Sequence, residues 1–166
     1  MAYDVTITRP PLRAAFDLKG TPDEITKCYS DVLPPLPGRP NSLTTQDGHE
    51  LLWIGPDHWL LLAPIAQEEM LDSALRSSGG TPTDIATTLI SDSLTFFAVT
   101  GSEAGEVMAV ASPLDLHPDA FSPDGASWTE AFGTKALIRR IASGYEIAVD
   151  RSYGDWFEAT LRSVTT

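Results

Sequence analysis

The stretch Ala-Ser-Pro-Leu-Asp-Leu-His-Pro-Asp-Ala-Phe, residues 111–121, constrains the fold more than any other part of the chain. Pro113 ends a short helical pattern. Pro118 and Pro123 exclude a regular helix and a central strand, because proline lacks the N–H that either would use. The resulting loop runs from about Ser112 to Gly125, and loops of that length in compact domains are usually functional or disordered. Leu114, Leu116 and Phe121 punctuate it as apolar anchors, which argues for order. Asp115, His117 and Asp119 lie among them. An ordered, acidic loop with one histidine is a site or a docking surface.

The chain has 166 residues, enough for one domain or two tightly fused halves. With 42% apolar and 20% charged residues it can bury a sizeable core. Its 23 acidic and 11 basic residues give a net charge of -12. That balance disfavours nucleic acid and anionic membrane surfaces, both of which reward clustered Lys and Arg. The single cysteine, Cys28, excludes an internal disulfide framework and a multi-cysteine metal site. The N-terminus has no apolar run beside a basic start, so no signal peptide is expected. The longest apolar run, 59–66, contains Pro64 and is too short to cross a bilayer. The expected compartment is the cytoplasm.

Periodicity places the elements. Residues 12–19 form a strand pattern ending at Gly20. Thr21-Pro22-Asp23-Glu24 then supplies an N-cap, a first-turn proline and the third-position acid of a capping box. Ile25, Cys28, Tyr29, Val32 and Leu33 follow as a buried helical stripe, with Cys28 in it as a small hydrophobe rather than a reactive thiol. Pro34-Pro35-Leu36-Pro37-Gly38-Arg39-Pro40-Asn41-Ser42 is a stiff extended segment. It is a connector, or a pre-ordered recognition arm with Arg39 and Asn41 as its polar contacts. A short strand at 43–46 leads to an Asp47-Gly48 turn. Strands 50–54 and 58–63 meet at Gly55-Pro56-Asp57, with Trp53 and Trp59 packing beside that hairpin. A helix at 68–77, with Met70, Leu71, Ala74 and Leu75 on one face, is stopped by Gly79-Gly80. Strands 86–90 and 94–100 flank Ser91-Asp92-Ser93, and the second is apolar enough to be central in a sheet. Gly101 ends it, and Ser102 is the expected cap of a helix burying Ala104, Val107, Met108 and Ala111. After the loop come strands 127–132, 136–141 and 145–149, then a helix over 152–164 burying Trp156, Phe157, Leu161 and Val164.

A loose echo runs through this order. Strand, glycine, capped helix and Pro-rich loop occur at 12–40 and again at 94–124. The pattern predicts an α+β fold: two βαββα-like halves, 12–90 and 91–164, whose mainly antiparallel strands are covered by helices within one domain spanning 1–166.

Chemistry-bearing motifs are scarce. There is no Gly-x-Gly-x-x-Gly, no Walker-type phosphate loop and no Gly-x-Ser-x-Gly elbow. His49, His58 and His117 lack metal-ligand spacing. His117 with Asp115 and Asp119 is the nearest acid–base candidate, and would serve a free-standing hydrolase or isomerase. In the blander reading the acids cap the turn and His117 bonds to backbone or to a partner. Asp57, beside His58, is expected to hydrogen-bond within its turn. Arg139 and Arg140 point to opposite faces of one strand. A folate-binding protein would need a carboxylate for the pterin and a cation for the glutamate tail. Asp92 or Asp115 with Arg139 or Arg140 offers such a pair.

Five segments, in order, carry a resemblance. They are Leu36-Pro37-Gly38-Arg39-Pro40-Asn41-Ser42, Trp53-Ile54-Gly55-Pro56-Asp57-His58-Trp59-Leu60-Leu61-Leu62, Ser91-Asp92-Ser93, Pro113-Leu114-Asp115-Leu116-His117-Pro118-Asp119-Ala120-Phe121, and Arg151-Ser152-Tyr153 before the last helix. Together they resemble the gamma subunit of heterotetrameric sarcosine oxidase, from about residue 12 to 164. The resemblance implies a fold like the folate-binding domain of aminomethyltransferases. It also implies an accessory, non-catalytic role in a cytoplasmic complex with alpha, beta and delta subunits. Such a complex demethylates sarcosine oxidatively to glycine, passes the one-carbon unit to tetrahydrofolate and forms hydrogen peroxide. FAD, FMN, NAD, the folate site and zinc would lie on the other subunits, with no catalytic, cofactor or metal residue on this one. Related assemblies act on other N-methyl amines, so the substrate is not legible here. On this view Leu36, Arg39, Asn41, Leu116, His117 and Phe121 are the candidate subunit-interface residues.

Overall fold

Two glycine-terminated strands, each running into a helix, organise the chain. The computed structural model describes residues 3–78 and 84–165. The strands are β1 Thr6–Thr8, β2 Arg13–Lys19, β3 Leu43–Gln46, β4 His49–Gly55, β5 His58–Pro64, β6 Ala86–Leu89, β7 Leu94–Thr100, β8 Ala126–Ala131, β9 Thr134–Ile141 and β10 Gly144–Asp150. The helices are α1 Pro22–Tyr29, α2 Glu68–Ser78, α3 Ala104–Ala111 and α4 Gly154–Ser163. The strands form two five-stranded sheets, β3-β4-β5-β2-β6 and β8-β9-β10-β7-β1. Every pairing among the described residues is antiparallel. The fold is α+β. The chain divides into two compact units, Leu12–Ser91 and Met1–Pro11 with Asp92–Thr166.

In the first unit Thr21 and Glu24 form the capping box. The Thr21 hydroxyl accepts from the Glu24 N–H at 3.4 Å, and the Glu24 carboxylate accepts from the Thr21 N–H at 3.2 Å. α1 ends at Tyr29, earlier than the apolar stripe suggests. The N–H groups of Val32 and Leu33 both turn back to the Tyr29 carbonyl. Leu33 precedes Pro34, and a residue before proline is driven out of helical geometry. Ile25, Tyr29 and Leu33 are buried, whereas Cys28 and Val32 are only partly so. Asp47 and Gly48 close the β3–β4 hairpin with φ of 52° and 80°, the positive values that a two-residue turn requires. Trp53 and Trp59 are cross-strand partners with ring centroids 5.1 Å apart. Trp59 is buried and donates its indole N–H to the Gly20 carbonyl at 3.1 Å. On α2, Leu71 and Leu75 are buried, but Met70 is 58% exposed. At 100° per residue Met70 lies about 120° round the helix from the midpoint of that pair, outside the apolar stripe. The Gly79-Gly80 stop lies outside the described residues.

In the second unit β7 is buried from Leu94 to Val99 and lies between β1 and β10. Gly101 follows with φ of 128°, and a Cβ there would fall 2.3 Å from the Asp4 carbonyl oxygen. The N-terminal segment therefore presses directly on this corner. That contact changes the start of α3. Ser102 does not cap the helix; its hydroxyl donates to the Asp4 carboxylate at 2.6 Å, and the Glu103 carboxylate accepts from the Asp4 N–H. Ala104, Val107, Met108 and Ala111 form the buried face of α3. At the C-terminus a 3-10 turn, Arg151–Tyr153, precedes α4. Asp150 caps it by accepting from the Ser152 N–H and hydroxyl at 2.9 and 2.6 Å. Phe157 and Leu161 are fully buried, whereas Trp156 is 48% exposed and leans edge-on against Tyr153 and Phe157.

Each half extends the βαββα pattern by a third strand after its first helix, and each sheet gains a further edge strand. β1 precedes β2 in the chain but pairs with β7, and β6 precedes β7 but pairs with β2. Among the described residues no helix is long and apolar enough to cross a membrane.

Candidate functional site

The loop 112–125 is ordered by its own hydrogen bonds and by others to β8, β9 and β10. Ser112, buried, donates its hydroxyl to the Glu130 carbonyl at 2.6 Å and accepts from the Leu114 N–H at 3.3 Å. The Leu116 carbonyl accepts from the Arg140 guanidinium at 2.7 Å and from the Tyr145 hydroxyl at 3.2 Å. The guanidinium also lies over the Tyr145 ring, 5.2 Å from its centroid. Arg140 faces Tyr145 across the β9–β10 pair, so the sheet's register brings the two clamping groups together. Asp115 accepts from the His117 N–H at 3.0 Å, an Asx turn, and the His117 carbonyl accepts from Ala120 and Phe121 at 2.9 and 2.8 Å.

This arrangement separates the anchors from the presented groups. Leu116 and Phe121 are 7% and 5% exposed and belong to the unit's own core. Leu114 packs against that core from partial exposure. Asp115, His117, Pro118 and Asp119 face solvent, with the His117 side chain 67% exposed. The His117 Nδ1 accepts from the Asp119 N–H at 3.3 Å, and the Asp119 carboxylate lies 3.5 Å from the same nitrogen. Asp115 engages the His117 backbone rather than its ring. A groove of about 630 Å³ opens between α3 and the loop, with Gly105, Glu106 and Ala109 on one wall, Leu114, Asp115 and His117 on the other, and Tyr145 at its base.

The Pro-rich segment is less extended than its composition suggests. Residues 34–37 carry no regular structure, and 38–41 bend back with Asn41 at φ of 56°. The Ser42 hydroxyl donates to the Arg39 carbonyl at 2.6 Å. The Asn41 N–H bonds to the Trp53 carbonyl, and the Trp53 N–H to the Ser42 carbonyl, which stitches the segment to β4. Leu36 is half-buried and helps line an apolar cavity of about 250 Å³ with Tyr29, Leu33 and Pro35. Arg39 and Asn41 are exposed.

The groups suggested for folate binding sit in other partnerships. Arg139 pairs with Glu146 at 2.6 Å, both nearly buried, and Arg140 holds the loop. Asp92 lies 3.3 Å from Arg151. Asp57 occupies its turn at φ of 50°. His58 bonds Asp17 on β2, and His49 bonds Gln67. The His58–Asp17 pair and the Arg140–Tyr145 clamp escape a reading of the sequence, because both need the strand register. Alternation in 136–141 and 145–149 around the Ser143-Gly144 turn carries the signal for the clamp alone. Among the described residues, no three His, Cys, Asp or Glu side chains are grouped to hold a metal ion.

Comparison with known proteins places this geometry. The model of the sarcosine oxidase, gamma subunit family matches residues 39–166. No curated protein sequence matches the chain. A chain of heterotetrameric sarcosine oxidase from Corynebacterium sp. U-96, solved in complex with pyrrole 2-carboxylate, is similar at a TM-score of 0.85 with 20% identity, over 98% of this chain and 86% of that one. The glycine cleavage system aminomethyltransferase T from Bartonella henselae is similar at a TM-score of 0.72 with 11% identity, over 96% of this chain and 46% of that one. At such identities both likenesses concern the fold, and this chain spans just under half of the aminomethyltransferase. The family match takes in β3 to α4, including the whole clamped loop, and on that ground the chain belongs to the sarcosine oxidase gamma subunit family.

Proposed function

We propose that this chain is a non-catalytic accessory subunit of a heterotetrameric, flavin-dependent sarcosine oxidase, supporting the assembly and stability of the complex. The observation that carries the reading is family membership over residues 39–166, joined to a fold shared over 98% of the chain with a chain of such an enzyme. On this reading its partners are alpha, beta and delta subunits in the cytoplasm. FAD, FMN, NAD, tetrahydrofolate and zinc are held by those partners. The complex converts sarcosine to glycine, passes the one-carbon unit to tetrahydrofolate and forms hydrogen peroxide. A related N-methyl amine demethylase would use an equivalent subunit in the same way. The exposed polar groups of the two Pro-rich loops, Arg39, Asn41 and His117, are the interface candidates, with Leu36 half-buried in the first of those loops. Leu116 and Phe121 support the interface from within, by fixing the loop that presents His117.

The test is substrate-dependent peroxide release per flavin in complexes assembled with Arg39→Ala or His117→Asn chains. An accessory role predicts unchanged turnover per intact complex and a shorter thermal half-life. Unchanged assembly and stability in both would remove these residues from the interface. Loss of turnover in a fully assembled complex would contradict the non-catalytic reading. Folate binding by this chain alone is the other reading, suggested by the aminomethyltransferase-like fold. Against it stand the partnerships of Arg139 and Arg140 described above. Titration calorimetry with tetrahydrofolate decides it: no heat and no thermal stabilisation would remove it.

A further inference from the structure

The solvent face of α3 carries fewer charges than that of α1, α2 or α4. α1 presents Asp23, Thr26 and Lys27 to water, and α2 presents Glu69, Ser73 and Arg76 around one apolar side chain, Met70. α3 instead presents Gly105, Ala109 and Val110, with Val110 57% exposed, and Glu106 is its one exposed charge. A surface helix normally carries polar residues there, so this face is built to be covered. Gly105, Glu106 and Ala109 form one wall of the groove beside the clamped loop. The opposite wall is fixed in advance, because the Leu116 carbonyl is held by two donors and Asp115 closes its own turn. Pre-ordering lowers the entropic cost of docking. The groove's exposed carboxylates are Glu106 and Asp115, and none of its lining residues is Lys or Arg.

We infer that this groove is a docking site for a segment of a partner subunit that carries a lysine or arginine beside an apolar side chain. The cation meets Glu106 and Asp115, and the apolar side chain covers Ala109 and Leu114. The inference rests on the accessory-subunit reading and names the chemistry of the partner it requires.

The test uses the tagged chain in the complex as purified. Glu106→Lys with Asp115→Lys should lower recovery of the partner subunits at least about tenfold, since like charges at an interface are strongly unfavourable. Glu106→Gln with Asp115→Asn should weaken recovery less and flatten its salt dependence. Glu69→Lys, the same kind of charge change on the face of α2, should leave recovery unchanged. Melting temperatures within a few degrees of wild type would show the variants folded. A photo-crosslinker at Ala109 should capture a partner peptide containing Lys or Arg. The inference is overturned if the double lysine variant recovers its partners normally, if Glu69→Lys is equally damaging, or if the captured peptide has no basic residue. In those cases the accessory-subunit reading stands. If the wild-type chain brings down no partner subunit at all, both fail together.

Discussion

The Tyr145 hydroxyl sits where a strand and a loop meet, and it shows how much one group can fix. It donates to the Leu116 carbonyl and accepts from Arg140. Tyr145→Phe should destabilise the fold by about 1 kcal/mol, the usual net value of such a bond. It should also speed amide exchange at Ala120 and Phe121, and unchanged exchange there would show that the clamp does not order the loop. Asp150 gives a pH signature. Its carboxyl is held below the usual carboxylate range, first by the Ser152 hydroxyl and then by the Ser152 backbone N–H. A folded-state value below the unfolded one stabilises the native state above the unfolded value, and that contribution is lost as pH falls through the folded one. Asp150→Asn should therefore lower Tm at neutral pH, with the difference shrinking as pH falls below the ordinary carboxylate range. A difference independent of pH would contradict the assignment. At this scale the sequence was partly legible. Thr21, Glu24, Asp47, Gly48 and the stripe of α3 were readable because their signals are local. Met70 and Trp156 were assigned to buried faces because apolarity alone does not say where a stripe ends.

The elements themselves follow from periodicity, since alternation and helical spacing act over a few residues. Thr21→Ala tests the best-defined local signal: loss of the N-cap should cost about 1 kcal/mol in denaturant unfolding. An effect near zero would mean that the tertiary contacts of Ile25 and Tyr29 alone hold α1. The edge pairings of β1 with β7 and of β6 with β2 were not legible, because pairing partners far apart in sequence leave no local mark. Their consequence is asymmetric. The unit Leu12–Ser91 is continuous in the chain, whereas the other needs β1 to cover the edge of β7 at Ala98–Thr100. Removing residues 1–9 deletes that strand together with the Arg9 contacts to Thr95 and Asp155. Hydrogen exchange on the truncated chain should rise in β7 and α3 and stay near wild type in β2 and β5. Equal rises in both units would contradict this division.

For the whole molecule, the echo between 12–40 and 94–124 and the family resemblance led to the fold. The candidate site was legible only as a loop. Its apolar anchors were visible, but the clamp from β9 and β10 and the wall supplied by α3 depend on tertiary register. The central claim is that this chain works as an accessory member of a flavoprotein assembly. The most direct measurement is to tag the chain, purify it gently from its native cell, record a visible absorption spectrum and identify the co-purifying chains by mass spectrometry. The account predicts a flavin spectrum and three further subunits. A colourless chain recovered alone would contradict it.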